Sequence, residues 1–139
     1  MEQTEEVQAM TARDSLGREI RLGDTITYPG RYSSSMWMNV GVVRGISHVE
    51  ASRWKQAYSE LSVERLEIKD EYSRDRAAHA FLARRLVGVS ALDRVVLLGM
   101  SEAELLGVLE RRISDEQAWF DRMHQERLER EAAQARQDV

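Results

Sequence analysis

Histidine, serine and paired carboxylates are the residues in this chain that could catalyse a reaction or bind a metal ion, and they are not grouped in the sequence. His48, His79 and His124 lie far apart, and none has a second histidine one helical turn away, which is a common spacing of metal ligands. Ser33–Ser35 has no nearby base that would activate a hydroxyl as a nucleophile. The carboxylate pair Asp115-Glu116 is typical of charges that favour a helix N-terminus. We therefore expect no enzymatic activity, no metal ion, no cofactor and no small-molecule substrate.

Aromatic and basic residues are interleaved in residues 31–37, predicted to be a polar loop, and in 50–59, predicted to be a short helical turn or an extended hairpin tip. Aromatic rings stack on bases and cations contact phosphates, so this mixture is typical of a nucleic-acid-binding surface. The candidate residues are Arg31, Tyr32, Trp37, Arg53, Trp54, Lys55 and Tyr58. Small barrels gather loops at one side, which would bring the two segments together. Alternatively, Trp37 and Trp54 cap the ends of a barrel and the cations are ordinary solvated charges.

Apolar residues recur at helical spacing in the last third of the chain and form a candidate docking surface. The candidate interface residues are Leu105, Leu106, Leu109, Ile113, Trp119, Phe120 and Met123. With Leu106 at position a of a heptad repeat, Glu116, Arg127 and Arg130 interrupt the seam, so a long coiled coil is disfavoured. We expect self-association or a protein partner here; the alternative is that the stripe packs within its own chain.

A β-rich region must position the first of these surfaces. Alternating apolar and polar residues predict a strand near residues 18–28, which Pro29-Gly30 would end because proline has no N–H to donate. A second strand is predicted over 38–49, where internal glycines favour a tightly curved sheet, and a third over 61–68.

The following segment is ambiguous. Residues 70–76 are highly charged and predict a loop. Residues 77–86 favour a helix by propensity, yet a strand is predicted to begin soon afterwards over 85–89, so helix and strand both stay open for 77–86. After a short turn, a final buried strand is predicted over 94–98.

From Ser101 the period of the apolar residues becomes that of a helix, and Ser101 with Glu104 has the spacing of a capping box. Ser114 with Gln117 repeats that spacing, so the sequence allows one long helix or two consecutive helices. From Glu129 onward no apolar face remains, and we expect that end to fray or to be disordered.

Length and composition limit the organisation of the chain. With 139 residues, the chain has room for one domain and an extension. We predict a mobile segment over 1–13, one domain over 14–99 and a helical extension over 100–139. Residues 14–98 carry 13 basic and 11 acidic residues, whereas residues 99–139 carry 6 and 10, so a mildly basic region precedes an acidic one. The absence of cysteine, of a secretory signal and of a long apolar run leads us to expect a cytoplasmic protein without membrane contact.

The glycine-punctuated segments Asp14–Tyr28 and Asn39–Ile46, followed by Leu92–Leu98, resemble small SH3-like or KOW-like barrels. In particular, they resemble short uncharacterised proteins encoded by phages of actinobacteria, which implies the host cytoplasm as the location. The resemblance covers residues 14–98 with poor agreement over 50–60 and 70–83. It implies an α+β fold, in which a five-stranded SH3-like barrel precedes the helical extension, and a binding or assembly module that sometimes contacts nucleic acid.

The combined expectation is a non-enzymatic module that engages a protein partner, or itself, through the helical extension and the barrel loops. The alternative is an accessory protein that binds nucleic acid through its aromatic and basic loops. A helix-turn-helix regulator over 101–128 is disfavoured, because Asp115, Glu116 and Asp121 stand where phosphate contacts would need cations.

Overall fold

A computed structural model describes residues 11–138. Within this range the chain forms five strands, one 3₁₀ turn and one α-helix. These elements are β1 (Thr25–Tyr32), β2 (Ser35–Val49), β3 (Tyr58–Glu71), β4 (His79–Val89), the 3₁₀ turn Leu92–Arg94, β5 (Val96–Leu97) and α1 (Glu102–Gln137). The strands form one sheet in the order β4-β3-β2-β1-β5, and the β1–β2, β1–β5 and β2–β3 pairs are antiparallel. The α+β class and a helix that follows a five-stranded sheet are therefore confirmed.

The first strand begins later than predicted, at Thr25 rather than near residue 18. Gly23 has a left-handed backbone (φ 86°), and the Asp24 carboxylate accepts the Arg21 N–H at 2.7 Å, so a turn precedes the strand. Leu22, which the alternation predicted to face the interior, is 66% exposed. The apolar alternation therefore crosses a turn and does not mark one continuous strand.

The β1 strand continues through Pro29-Gly30, where pairing was predicted to end. Pro29 pairs with Met38 at a point where β5 no longer flanks β1, and a proline is tolerated in a strand with one neighbour. Gly30 lies opposite Trp37, and a Cβ at this position would come within 2.5 Å of the indole Nε1. This glycine therefore makes room for an aromatic ring and does not mark a turn.

The predicted polar loop over 31–37 is also wrong. Tyr32 pairs with Ser35 across a two-residue turn, in which Ser33 has a left-handed backbone with φ 55°. Arg31 and Trp37 are consequently strand residues on a long β1–β2 hairpin.

Two ambiguous segments are resolved as β structure. Val49 pairs with Tyr58, so the residues between them form the tip of a hairpin and not a helical turn. Residues 77–86 lie mostly in strand β4, in which Ala80 is buried. Helix propensity differs little among residue types, so burial and strand pairing override the alanine-rich composition. The strand β3 is longer than predicted at both ends, reaching into the loop expected over 70–76.

Ser101 caps helix α1 at the predicted position, because its hydroxyl accepts the Glu104 N–H at 3.1 Å and donates to the Glu104 carboxylate at 3.1 Å. Of the two alternatives left open at Ser114, the single long helix is the one observed. The helix reaches Gln137 with side-chain pairs four residues apart, such as Arg127 with Glu131, and fraying from Glu129 stays a prediction. No helix among residues 11–138 is both long and apolar enough to cross a membrane.

The described chain divides into two compact units. Unit 1 comprises the described residues up to Glu67 and Arg84–Leu105, and unit 2 comprises Ile68–Ala83 and the described residues from Leu106 onward. The unit 1 core contains the fully buried residues Ile26, Val43, Leu61, Val63 and Val95. Unit 2 buries Ala80, Leu109 and Phe120. The predicted boundaries at residues 13 and 99 stay a prediction. Residues 1–10 of the segment predicted to be mobile lie outside the described residues. Ala12, in the same predicted segment, belongs to the unit 1 core.

A buried carboxylate fixes the short strand β5. Asp14 accepts the N–H groups of Leu16, Arg18 and Leu97 at 3.0, 2.8 and 3.0 Å, and its side chain is fully buried beside the Arg18 guanidinium at 2.9 Å. Burial alone would raise the pKa of Asp14, but the N–H groups of Leu97, Arg18 and Leu16 together with the guanidinium outweigh it and lower the pKa from 3.8 to about 2.

We expect Asp14→Asn to lower the free energy of unfolding by about 2 kcal/mol at neutral pH, because the charged acceptor of several N–H groups is lost. A lowered pKa means that the stabilisation is complete above the ordinary value of 3.8 and disappears as the pH falls through about 2. The variant should therefore lose less stability than the wild type on acidification through that range. Urea titrations between neutral and acidic pH measure both effects.

Asp93→Asn is the matched control, since it changes an exposed carboxylate of the same unit. Equal unfolding free energies for Asp14→Asn and the control would contradict a stabilising role for the buried carboxylate.

Candidate functional site

The β1–β2 hairpin carries the first group of predicted nucleic-acid-binding residues. Tyr32 is 79% exposed, and Trp37 is partly exposed with its indole N–H donating to Asn39 Oδ1 at 2.9 Å. The Arg31 guanidinium donates to the Ser33 carbonyl at 3.1 Å. Trp37 is therefore oriented by a hydrogen bond and by the space above Gly30, and Tyr32 presents a free ring to solvent.

The β2–β3 hairpin tip carries the second group. Trp54 is 84% exposed, and the Arg53 guanidinium lies 5.4 Å from the centre of its ring in a cation–π arrangement. The Ser52 hydroxyl accepts the N–H groups of Trp54 and Lys55 at 3.4 and 3.2 Å, which shapes the tip. Tyr58 begins β3 and is half-buried.

These two groups lie at opposite ends of β2. The first hairpin turns just before Ser35, and the second turns just after Val49. At about 3.3 Å per residue the strand between them is on the order of 45 Å long when straight. Consecutive hairpins that share a strand necessarily place their tips at its two ends, so the chain does not bring the two segments together on the side where they were predicted to meet.

The predicted interface residues on the helix have different environments. Leu105, Leu109 and Phe120 are buried, and Leu106 and Ile113 are half-buried. Trp119 and Met123, one helical turn apart, remain 50% and 39% exposed. Of the seven predicted interface residues, this last pair is the most exposed to a partner.

Trp119 and Met123 form the floor of a cleft in unit 2, together with residues of the β3–β4 connection. The cleft has a volume of ≈ 340 Å³. The rings of Tyr72 and Trp119 each meet the buried Phe120 edge to face, with centroid distances of 6.0 and 5.4 Å. The exposed rings therefore rest on a packed support. We call this feature the Trp119 cleft and define it by Tyr72, Trp119, Phe120 and Met123.

Basic side chains surround this apolar floor. Arg76, Arg127, Arg130 and His124 line the cleft, and no carboxylate side chain does. Arg127 donates to the Arg74 carbonyl at 3.0 Å and contacts His124 Nδ1 at 3.1 Å, and its Nε lies 3.8 Å from the Glu131 carboxylate. Among the described residues, Arg76 and Arg130 have no carboxylate within 4.0 Å. Two guanidinium groups are therefore free to meet an anionic ligand.

A side-chain amide connects the helix of unit 2 to the start of β4. Gln117 Oε1 accepts the Ala80 N–H at 2.8 Å, and its Nε2 donates to the Ala78 carbonyl at 2.9 Å and to Asp121 at 3.1 Å. The amide therefore satisfies two backbone groups of the edge strand and its approach. This contact explains why Ser114 and Gln117 do not form a second capping box.

The three histidines have unrelated environments. His48 Nδ1 contacts the Ser59 hydroxyl at 2.8 Å, His79 stacks on Phe81 at 5.8 Å, and His124 contacts Arg127. Within residues 11–138, no three histidine, aspartate or glutamate side chains are arranged to hold a metal ion.

Comparison with known proteins gives no relative: no family model, no curated protein and no solved structure matches the chain. The surfaces described above are therefore interpreted from their own chemistry.

Several residues of the Trp119 cleft were not proposed from the sequence. Tyr72 stands in a charged stretch interpreted as a loop, and Arg130 was treated as an interruption of a heptad seam. The spacing of Trp119, Met123, Arg127 and Arg130 does place them on one helix face, so the rim on the helix was recognisable. The contribution of Tyr72 and Arg76 depends on tertiary packing.

We expect Gln117→Ala to destabilise unit 2 and to accelerate hydrogen exchange of the Ala80 amide by about fivefold, since the lost acceptor contributes about 1 kcal/mol. Gln125→Ala is the matched control, because Gln125 is an exposed glutamine of the same helix whose amide contacts Glu129 at 3.4 Å. Exchange followed by NMR at Ala80 distinguishes the two variants. An Ala80 amide that exchanges equally in Gln117→Ala and in the control would contradict the anchoring role.

Proposed function

We propose that the protein is a non-enzymatic binding module that engages a protein partner, or a second copy of itself, through the Trp119 cleft. The observation that carries the proposal is the exposure of Trp119 and Tyr72, 50% and 75%, above the buried Phe120. Large aromatic side chains on a rigid support are typical of the residues that dominate the energy of protein interfaces. Water contact with these rings is unfavourable, so covering them stabilises a complex.

The composition of the cleft supports binding in preference to catalysis. Aromatic, thioether and guanidinium groups dominate its lining, and these groups supply contact area and hydrogen-bond donors. The nearby His124 is engaged with Arg127, which holds its Nδ1 in a donor–acceptor contact at 3.1 Å.

We further propose that the sheet, which is open with edges at β4 and β5, is of the SH3-like type that the sequence resembles. Three observations support this assignment: β5 follows a one-turn 3₁₀ connection after β4, β5 pairs with β1, and β2 bends at an irregularity between Val43 and Gly45. A bulge in a long strand increases its twist and allows a sheet to curve around its own core.

Trp119→Ser should abolish partner binding, because a hot-spot aromatic side chain is removed. The test is affinity capture of host cytoplasmic proteins by the immobilised chain, combined with light scattering for self-association. A protein that is retained by the wild type and lost with Trp119→Ser, or an oligomer that dissociates in that variant, is the expected result.

Trp54→Ser is the control, since it removes an even more exposed tryptophan from unit 1. A 16.0 kDa monomer at all concentrations, with the same captured proteins for both variants, would refute the proposal.

A second candidate function is nucleic-acid binding at the β2–β3 tip. The specific observation in its favour is the free face of Trp54 beside Arg53 and Lys55, the arrangement in which a base stacks and its phosphate meets a cation. This proposal needs only the β2–β3 tip, so the distance to the other hairpin does not affect it.

If this tip binds single strands, a labelled oligonucleotide should bind at low salt and lose about tenfold in affinity in Trp54→Ala, because stacking on one aromatic ring contributes about 1–3 kcal/mol. Fluorescence anisotropy with DNA and RNA measures the effect, with Trp119→Ala as the control. Absence of binding at tens of micromolar protein in low salt, where phosphate contacts are strongest, would exclude this function.

A further inference from the structure

We infer that the partner segment bound by the Trp119 cleft is acidic, with an apolar side chain flanked by aspartate or glutamate. This inference rests on the proposed function and specifies the chemistry of its ligand. It follows from the charge of the rim, the shape of the floor and the distribution of carboxylates in unit 2.

Two arginines at the rim carry a positive charge that is not paired with a carboxylate. Arg76 and Arg130 are exposed and, among residues 11–138, have no carboxylate partner. Arg127 is fixed by the Arg74 carbonyl at 3.0 Å, so its guanidinium is oriented before any ligand arrives. A guanidinium group offers a planar fork of donors that matches a carboxylate, which makes carboxylates the complementary groups.

The cationic rim is a local feature, because unit 2 as a whole is acidic. Its residues include nine basic and eleven acidic side chains, a net charge of −2. Carboxylates line two other depressions of unit 2. One shares Arg76 with the cleft and contains Glu71 and Asp121. Another is lined by Ile68, Arg112, Asp115 and Glu116. There, burial and the neighbouring Asp70 raise the pKa of Glu116. The lining of the cleft is basic although unit 2 is acidic as a whole, so the cleft is complementary in charge to an anionic ligand.

The floor sets the size and polarity of the bound group. A volume of ≈ 340 Å³ accommodates a few side chains. Trp119 and Met123 offer an aromatic surface and a flexible thioether, which adapt to an apolar anchor. A short segment with one apolar anchor between carboxylates satisfies both the floor and the rim.

Nucleic acid fits the cleft less well. A single strand presents a phosphate at every nucleotide and needs a continuous basic track, whereas the cations here surround one compact apolar floor in a unit of net negative charge. An acidic peptide, in contrast, can place its few carboxylates opposite the arginines of the rim.

The test is selection from a display library of short random peptides on the full chain, with counter-selection on Trp119→Ser. Peptides that depend on Trp119 should carry aspartate or glutamate beside a large apolar residue. In anisotropy titrations of these peptides, the double variant Arg76→Gln/Arg130→Gln should bind about tenfold more weakly, and added salt should reduce binding to the wild type. Both positions are exposed, so this variant also reports on the cleft if Trp119→Ser does not fold, which circular dichroism establishes.

The matched control is Arg111→Gln/Arg136→Gln, which removes two exposed arginines of the same helix outside the cleft and should leave peptide affinity unchanged. Selected peptides that are neutral or basic, or that bind the Arg76→Gln/Arg130→Gln variant as tightly as the wild type, would overturn the acidic specificity and leave the proposed function standing. A single-stranded oligonucleotide that displaces the peptides at lower concentration would assign the cleft to nucleic acid instead. If no peptide depends on Trp119 or on the rim arginines, the proposed function fails together with the inference.

Discussion

The backbone groups at the two edges of the sheet impose the constraint on which the rest of the structure depends. Strands β4 and β5 each have a strand neighbour on one side only, and unpaired peptide groups that leave water are costly. Side chains supply the missing partners: the Asp14 carboxylate accepts the Leu97 N–H, and the Gln117 amide pairs with Ala80 and Ala78. Polar side chains distant in sequence therefore satisfy part of each edge: Asp14 and Arg18 at β5, and Gln117 at β4.

A network of ion pairs also connects separate elements on the surface of unit 1. Arg44 of β2 contacts both carboxylate oxygens of Glu102 and lies 3.4 Å from Glu64, which also pairs with Arg84 at 3.0 Å. The hydrogen bond to Glu102 raises the pKa of Arg44, the bond from Arg84 lowers the pKa of Glu64, and the bond from Arg44 lowers the pKa of Glu102. Each exposed pair contributes little alone, but the shared members join three strands to the first turn of α1.

Local signals in the sequence predicted the elements, and tertiary contacts determined their limits. The Ser101–Glu104 capping box was predictable because both partners lie within one helical turn. Gly30 misled the prediction, because its function is to accommodate the Trp37 ring from the neighbouring strand. Gln117 likewise has the spacing of a cap but bonds to β4. The Trp119 cleft was half predictable: its helix residues share one face, whereas Tyr72 joins them only through the fold.

The cleft also explains why an exposed tryptophan is compatible with a stable helix. Phe120 is 8% exposed and carries the contacts that hold this part of α1, so Trp119 can face solvent without a loss of core packing. Because Tyr72 and Trp119 both contact Phe120, their rings are restrained, and the proposed ligand would lose less conformational entropy in meeting them. The buried residue supplies the packing that stabilises this part of the helix, so the surface proposed for binding does not have to be part of the core.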